Sequence, residues 1–254
     1  MTELTQRFLD MFLEVFAAMP RQGPGNRECA ARALGLCRDL PSAPTILDLG
    51  CGSGGQTLQL AELTAGSIIA VDNHAPWIAQ LEQTIAERSL ADRIRPTKGD
   101  MASLAFEPGS FDLIWSEGAL YSIGIEPALR ICRRLLRPGG HLSFTDAVWR
   151  KTNPPAEVLA MFERDYPKMG WVADILATIE RCDFDLSGHF TLPDEAWWDD
   201  FYTPMEAHAN SLKPKYAQDS EALEGLALIV QEIELHRKYS EYYAYEFFVA
   251  QKPQ

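Results

Sequence analysis

No two cysteines in this chain stand at C-x-x-C spacing, and no histidine or cysteine cluster has the spacing of metal ligands. That excludes zinc ribbons, zinc fingers and thioredoxin-type redox motifs, and no metal is expected. Cys29, Cys37, Cys51, Cys132 and Cys182 form an odd set, which reads as reduced thiols in a cytoplasmic protein. No apolar run is long enough to span a bilayer. The first segment, Met1 to Met19, is interrupted by Arg7, Asp10 and Glu14, so it is not a signal peptide, and no membrane association is expected. Positive charge is scarce: 23 Lys and Arg against 36 Asp and Glu leave a net charge of −13, which repels a polyanion. The densest basic group, Arg130, Arg133, Arg134 and Arg137, has helical spacing on Pro127 to Leu136 and reads as a solvated helix face. No nucleic-acid partner is expected, and there are no internal repeats or low-complexity segments.

What the chain does have is a hydrophobic content of 46% over 254 residues, enough for one large α/β domain with additions or for two small ones. Its most informative stretch is Thr45-Ile46-Leu47-Asp48-Leu49-Gly50-Cys51-Gly52-Ser53-Gly54-Gly55-Gln56. Thr45 to Leu49 has the make-up of a short buried strand, and Gln56 to Leu63 has helical spacing, so the glycines sit where strand turns into helix. Glycine tolerates positive φ and lets a ligand approach bare backbone. The N–H groups that open the following helix suit a carboxylate or phosphate. Gly50, Gly52 and Gly55 fit G-x-G-x-x-G, while Gly50, Gly52 and Gly54 fit D-x-G-x-G-x-G, and neither match alone is specific. A second apolar strand, Ser67 to Val71, ends in Asp72, an acid roughly 20 residues past the loop and placed to accept from both hydroxyls of a ribose. NAD and S-adenosylmethionine share that ribose, so both stay open at this point.

Ile94 to Lys98 reads as a third strand entering Gly99-Asp100-Met101, and Phe111 to Ser116 as a fourth ending at Glu117. With Leu47 to Gly54, Asp72 and Leu135-Leu136-Arg137-Pro138-Gly139-Gly140 before a fifth strand, His141 to Ala147, the chain resembles the class I S-adenosylmethionine-dependent methyltransferases over about residues 45 to 147. Within them it looks most like the small-molecule "methyltransferase type 11" group, down to Trp115-Ser116-Glu117-Gly118-Ala119-Leu120-Tyr121.

The resemblance implies roles. Asp48 and the backbone of Gly50, Cys51, Gly52 and Gly54 would hold the methionine end of the cofactor, and Asp72 with Asn73 the ribose. Asp100 would accept from the adenine amino group, with the Met101 amide at the ring. Glu117 and its neighbours would floor the pocket, and the turn Gln22 to Asn26, including Gln22, Gly25 and Asn26, would lie over the cofactor. An acid plus apolar pair after the third strand has no use in a dehydrogenase, which favours the sulfonium cofactor, with S-adenosylhomocysteine as product, over NAD(P). A cofactor-binding protein without turnover is the alternative from outside the enzymes.

Five alternations of strand and helix from Thr45 to Ala147 require a parallel sheet with crossover helices on both faces. The expected fold is α/β, Rossmann-like and doubly wound. The resemblance implies seven strands in the order 3-2-1-4-5-7-6 with strand 7 antiparallel. Ligands gather beyond the carboxyl ends of such strands, where Asp48, Asp72, Asp100 and Glu117 all fall. Four converging acids would repel one another, so a cationic or hydroxyl-rich guest is expected.

Residues 1–44 read as a helical cap, 45–150 as the cofactor-binding core, and 151–254 as substrate-side helices plus the last two strands. Leu4, Phe8, Met11, Phe12, Val15 and Met19 mark an amphipathic first helix, which either caps the core, covers the cofactor or forms half of a homodimer contact. Asn26 or Gly25 can cap a second helix ending near Leu40. Asn153-Pro154-Pro155 reads as a helix-start signal. Further helices are expected at about 156–166, 172–181 and 221–240, and strands at 184–191 and 243–251. Trp197, Trp198, Phe201 and Tyr202 either pack in the core or cover the crevice. Transfer to a small organic acceptor, on oxygen, nitrogen or carbon, needs a general base only if the acceptor arrives protonated. Glu117, Tyr121 and His208 are the candidates, whereas His189, inside a strand, reads as structural.

Overall fold

The computed structural model describes residues 6–254; Leu4, counted in the apolar face of the first helix, lies outside them. Chain order is α1 (Gln6–Ala17), α2 (Arg27–Leu36), β1 (Thr45–Leu49), α3 (Gly55–Leu63), β2 (Ser67–Asp72), α4 (Ala75–Glu87), β3 (Ile94–Lys98), β4 (Phe111–Glu117), α5 (Ile125–Leu135) and β5 (Leu136–Trp149). It continues with α6 (Ala156–Asp165), α7 (Val172–Arg181), β6 (Asp185–Thr191), the short α8 (Glu195–Trp197), α9 (Thr203–Leu212), α10 (Ser220–Tyr239) and β7 (Tyr243–Gln251). All strands join one seven-stranded sheet in the order β3-β2-β1-β4-β5-β7-β6. The first five are parallel and β7 runs antiparallel to both β5 and β6. The expected fold class and strand order are therefore present.

Strand alternation splits the core into two layers. Ile46 and Trp115 pack with Leu60 of α3 and Leu81 of α4 on one face. Leu47, Leu49 and Ile114 pack with Leu129 of α5 and Phe144 on the other. Fully burying one such side chain is worth about 1.5–3 kcal/mol, which makes the register of these short strands decisive. Asp112 reinforces it by accepting from the Thr45 backbone N–H at 2.8 Å and from Arg137 at 2.6 Å, tying the starts of β1, β4 and β5 together.

Helix α5 turns Ala128, Leu129, Cys132 and Leu135 inward. Its arginines stay outside: Arg130 pairs with Glu126, Arg133 donates to the Asp183 carbonyl, and Arg134 to those of Phe106 and Leu104. Three of the four arginines of the basic group thus form an outer helix face, and the fourth, Arg137, lies on β5 and pairs with Asp112.

A third cluster brings Met11 and Val15 of α1 against Trp197, Phe201, Tyr202, Leu226 and Ile233. Three boundaries differ from expectation, one of them the start of β5, which pairs with β4 already at Leu136↔Phe111. Helix α2 stops at Leu36, because Cys37, with ψ of 80°, already leaves the helical region. Strand β5 runs to Trp149, because β7 pairs with it continuously from His141↔Gln251 to Trp149↔Tyr243. Helix α6 does begin just after the prolines, with Pro155 as its N-terminal flank.

Candidate functional site

Three glycines shape the turn after β1: Gly50, Gly52 and Gly54 have φ of 70°, 55° and 97°. L-residues avoid that region at about 1–2 kcal/mol each. Gly55 does a different job. A Cβ there would meet the Pro20 carbonyl and the Arg21 backbone, so it makes room for the chain segment that follows α1. The N–H groups of Gly50 and Cys51 both donate to the Val71 carbonyl, at 2.8 and 3.1 Å, which fastens the turn to β2.

Asp72, at the end of β2, accepts from the Gly52 N–H at 2.9 Å with one oxygen and from the His74 N–H at 2.8 Å with the other. A carboxylate has about four acceptor positions, so capacity remains for two hydroxyls. After β3, Asp100 accepts from the Ala102 N–H at 2.9 Å and caps a short turn that displays Met101.

At the end of β4, Glu117 accepts from Trp115 Nε1 at 2.8 Å and from Arg21 Nη2 at 2.5 Å. The Arg21 and Glu117 side chains are 3% and 2% exposed. Arg21 also donates to the carbonyls of Gly23 and Pro24. Beside it, Gln22 accepts from the Ser53 N–H at 2.9 Å and donates to the Ser53 hydroxyl at 2.8 Å and to the Phe16 carbonyl at 3.2 Å. The turn after α1 is therefore clamped across the glycine turn.

These elements enclose a cavity of about 550 Å³ at the carboxyl ends of the parallel strands, within the usual range for small-molecule and cofactor sites. Of the residues read from sequence, its wall includes Gln22, Gly50, Cys51, Gly52, Asp72, Asn73, Asp100, Met101, Glu117 and Tyr121.

Gly54, Gly25, Asn26, Asp48 and His208 are not on that wall. Gly54 starts α3 with Leu81 packed where its Cβ would go. Asn26 caps α2 by accepting from the Cys29 N–H, and Gly25 fits against Arg21 and Glu117. Asp48 is fully buried, accepting from Thr57 Oγ1 at 2.6 Å and from Gln56 at 3.4 Å, so it braces α3 against β1. Burial pushes its carboxyl up to about 7; Thr57 opposes that shift and the charge of Glu117 adds to it. His208 lies on α9 near Glu14, apart from the other site residues. His189 bonds to Glu246 of β7 at 2.5 Å, the structural role expected of it.

The anticipated convergence of four acids reduces to three on the wall, since Asp48 is withdrawn, and one of these, Glu117, is matched by Arg21. Glu117 is held through both oxygens, one by Trp115 and one by Arg21. None of Trp197, Trp198, Phe201 and Tyr202 is on the cavity wall; all four belong to or pack against the third cluster. Trp197 is 6% exposed and stacks on His236 at 4.3 Å, and Phe201 and Tyr202 are core. The cavity takes its aromatic walls from Phe12, Phe16, Trp77, Tyr121 and Tyr245 instead. Arg21, Trp77 and Tyr245 had no motif to announce them. Arg21 alone carried a signal, as a lone cation beside the glycine-proline turn.

Residues 46–140 match the family described as a methyltransferase domain. The fold is shared with a structure described as an S-adenosylmethionine-dependent methyltransferase from Geobacter sulfurreducens in complex with S-adenosyl-L-homocysteine, at a TM-score of 0.80 and 22% identity, covering 96% of this chain and 98% of that one. Residues 46–140 thus match a methyltransferase domain, and the chain as a whole shares the fold of that solved structure. The chain is also similar to a sarcosine/dimethylglycine N-methyltransferase of Aphanothece halophytica, 26% identical over 189 residues, 72% of this chain and 67% of the relative. A sterol 24-C-methyltransferase of Pneumocystis carinii is 32% identical over 97 residues, 38% of this chain, and the chain spans only 26% of that enzyme's length.

Proposed function

We propose that this protein is an S-adenosylmethionine-dependent methyltransferase acting on a small organic acceptor. The observation that carries this reading is the cavity wall itself: bare backbone at Gly50 to Gly52, a carboxylate with spare acceptor capacity at Asp72, and the Asp100–Met101 pair, at the ends of three adjacent strands. A Cβ at Gly52 would strike the Gln22 oxygen, and one at Gly50 the Ala119 side chain, so the turn is shaped for close approach. In this reading Gly50 to Gly52 hold the methionine end, Asp72 and Asn73 the ribose, and Asp100 and Met101 the adenine.

When bound, the cofactor supplies a methyl carbon already activated by positive sulfur. The chain's own contribution is then to orient the partners and exclude water. Alignment can supply roughly 7 to 11 kcal/mol in well-oriented cases. Phe12, Phe16 and Trp77 wall the cavity, and the Gln22–Ser53 and Arg21–Glu117 contacts hold the covering turn down. Among the catalytic candidates Tyr121 is retained, as a wall residue able to donate a hydrogen bond.

Residues 1–44 would act as a cap and residues 151–254 as the acceptor side. The net charge of −13 supports a small molecule over nucleic acid, and five free, buried thiols support a cytoplasmic setting. A homodimer through α1 has less behind it, because Met11 and Val15 of that helix pack against α9 and α10 of the same chain. No helix among the described residues is long and apolar enough to cross a membrane.

Calorimetric titration with S-adenosylhomocysteine and with NADH tests the reading. Binding of the first and not the second is expected, and the reverse would sink it. A labelled-methyl assay over a broad metabolite set then separates an enzyme from a silent cofactor binder.

A further inference from the structure

The sheet order divides the cavity. Asp72, Asn73, Asp100 and Met101 lie at the ends of β2 and β3, whereas Glu117, Gly118 and Tyr245 lie on β4 and β7, with β5 between them. If the cofactor occupies the first side, the acceptor must enter at the second. There Tyr121, 37% exposed, and Tyr245, half-buried, line the wall. Tyr121 packs against Tyr166 of the α6 end at 4.7 Å between ring centroids. The Tyr166 hydroxyl donates to Asp146 of β5 at 2.9 Å, and the Tyr202 hydroxyl to Glu232 of α10 at 3.0 Å.

Two carboxyls thus back a tyrosine wall; burial raises both, Asp146 to about 7, so above that pH Asp146 presents a negative charge behind the wall. The Tyr245 phenol is pushed well upward, first by burial and then by Tyr121, Asp146, Glu232 and Tyr166. The Tyr121 phenol is raised by burial and by Asp165, Asp146 and Glu232. Among the described residues neither Asp146 nor Glu232 makes an ion pair, and Asp146 is 1% exposed with only a phenol as its side-chain partner. Arg164 is the cation that acts on Glu232, and it is already paired with Asp165 through two contacts of 2.8 and 2.9 Å. A carboxylate buried without a countercharge is costly. Aromatic faces in front of it attract the same kind of guest that would relieve it, a cation.

We propose that the acceptor side of this cavity is a cation-selective chamber walled by Tyr121 and Tyr245 and backed by Asp146 through Tyr166, and that the acceptor it takes is an amine. This rests on the methyltransferase reading of the same cavity. Asp146 is a positioning residue here, since it acts on the guest through Tyr166 and the field behind the wall. Tyr245 is the residue that touches the guest. Its hydroxyl makes no hydrogen bond to another described residue, and its ring adjoins Gly118, where a Cβ would come within 3.1 Å of it.

The test compares two probes of the same shape, choline and 3,3-dimethylbutan-1-ol, in which a neutral carbon replaces the quaternary nitrogen. Both are titrated calorimetrically into protein saturated with S-adenosylhomocysteine. Choline is expected to bind about fivefold or more tightly than its neutral counterpart, the scale of a desolvated cation–π contact. Asp146→Asn should shrink that preference toward equality, and Tyr245→Leu should do the same by removing the ring. Asp146→Asn should keep its affinity for S-adenosylhomocysteine, which also reports that it is folded. Equal binding of the two probes, binding of neither, or a preference that survives both substitutions overturns the cation chamber while leaving methyl transfer standing. Failure of S-adenosylhomocysteine to bind the unaltered protein overturns the underlying reading instead.

Discussion

Arg21 donates to Glu117 at 2.5 Å in an ion pair whose two side chains are almost completely buried, joining the turn after α1 to the end of β4 across the cavity. Removing one member leaves the other as a buried, uncompensated charge, which costs about 3–5 kcal/mol. Arg21→Met should therefore destabilise the protein by that order in urea unfolding. Arg21→Met with Glu117→Gln should cost clearly less than the sum of the two single changes. Additive losses would mean that the pair is not coupled.

Asp72 joins the glycine turn to the cofactor in the proposed function. Asp72→Ala removes charged hydrogen bonds worth roughly 1.5–3 kcal/mol each. Affinity for S-adenosylhomocysteine, measured by calorimetry, should fall by about tenfold or more. An unchanged dissociation constant would contradict the assignment of the ribose to this carboxylate.

Two glycine substitutions should go in opposite directions. Gly52→Ala forces a side chain into φ 55° and against the Gln22 oxygen, so it should cost about 1–2 kcal/mol from the backbone alone and weaken cofactor binding. Gly35→Ala, inside α2 with nothing within 4 Å of its new Cβ, should stabilise by up to about 1 kcal/mol. Thermal melts of the two variants check this.

Two buried carboxyls set the pH dependence. Burial raises both Asp48 and Asp146 to about 7 in the folded protein, against about 3.9 in an unfolded chain. Between those values the folded state holds protons that the unfolded state has released, so stability falls as pH rises from about 4 to about 7. The half-buried acids Glu14, Glu126 and Asp219 are shifted downward by their partners. Their contribution has the opposite sign and fades only as pH falls below the ordinary carboxylate range. Urea unfolding at pH 5, 6 and 7.5 should show decreasing stability, and Asp146→Asn should flatten the slope. A rise in stability across that interval would refute the assignment.

Every cysteine is free and buried, and burial pushes the Cys29 and Cys37 thiols up to about 11 and the Cys132 thiol up to about 12. Cys51, within the glycine turn, is shifted in the same direction by burial and then by the charges of Asp48 and Asp72. Since the thiolate is the reactive form, a thiol reagent at pH 7.5 should label none of them quickly in the native protein and all five after denaturation. Rapid labelling of Cys51 would mark it as a reactive group.

The parallel sheet, its strand ends and the glycine turn were legible in residues 45 to 147, because strands of period two joined by crossover helices leave few arrangements open. Asp72, Asp100 and Glu117 could be placed at one edge for that reason alone. Asp48 and Gly54 carry the same motif yet serve the packing of α3, a distinction that spacing cannot draw. Trp197 and Tyr202 look much like Trp77 and Tyr121 in sequence, and only burial against α10 separates core from wall.

The linear chain thus determined the α/β framework and the half of the cavity built by adjacent strand ends, since those depend on local periodicity and on glycine's access to positive φ. Tertiary structure decided the rest. Arg21 meets Glu117 across 96 positions, and Asp146, Tyr166 and Tyr245 come together only where β5, α6 and β7 converge. Such long-range contacts are selected by the burial and pairing of charge in the finished fold, which no local pattern encodes.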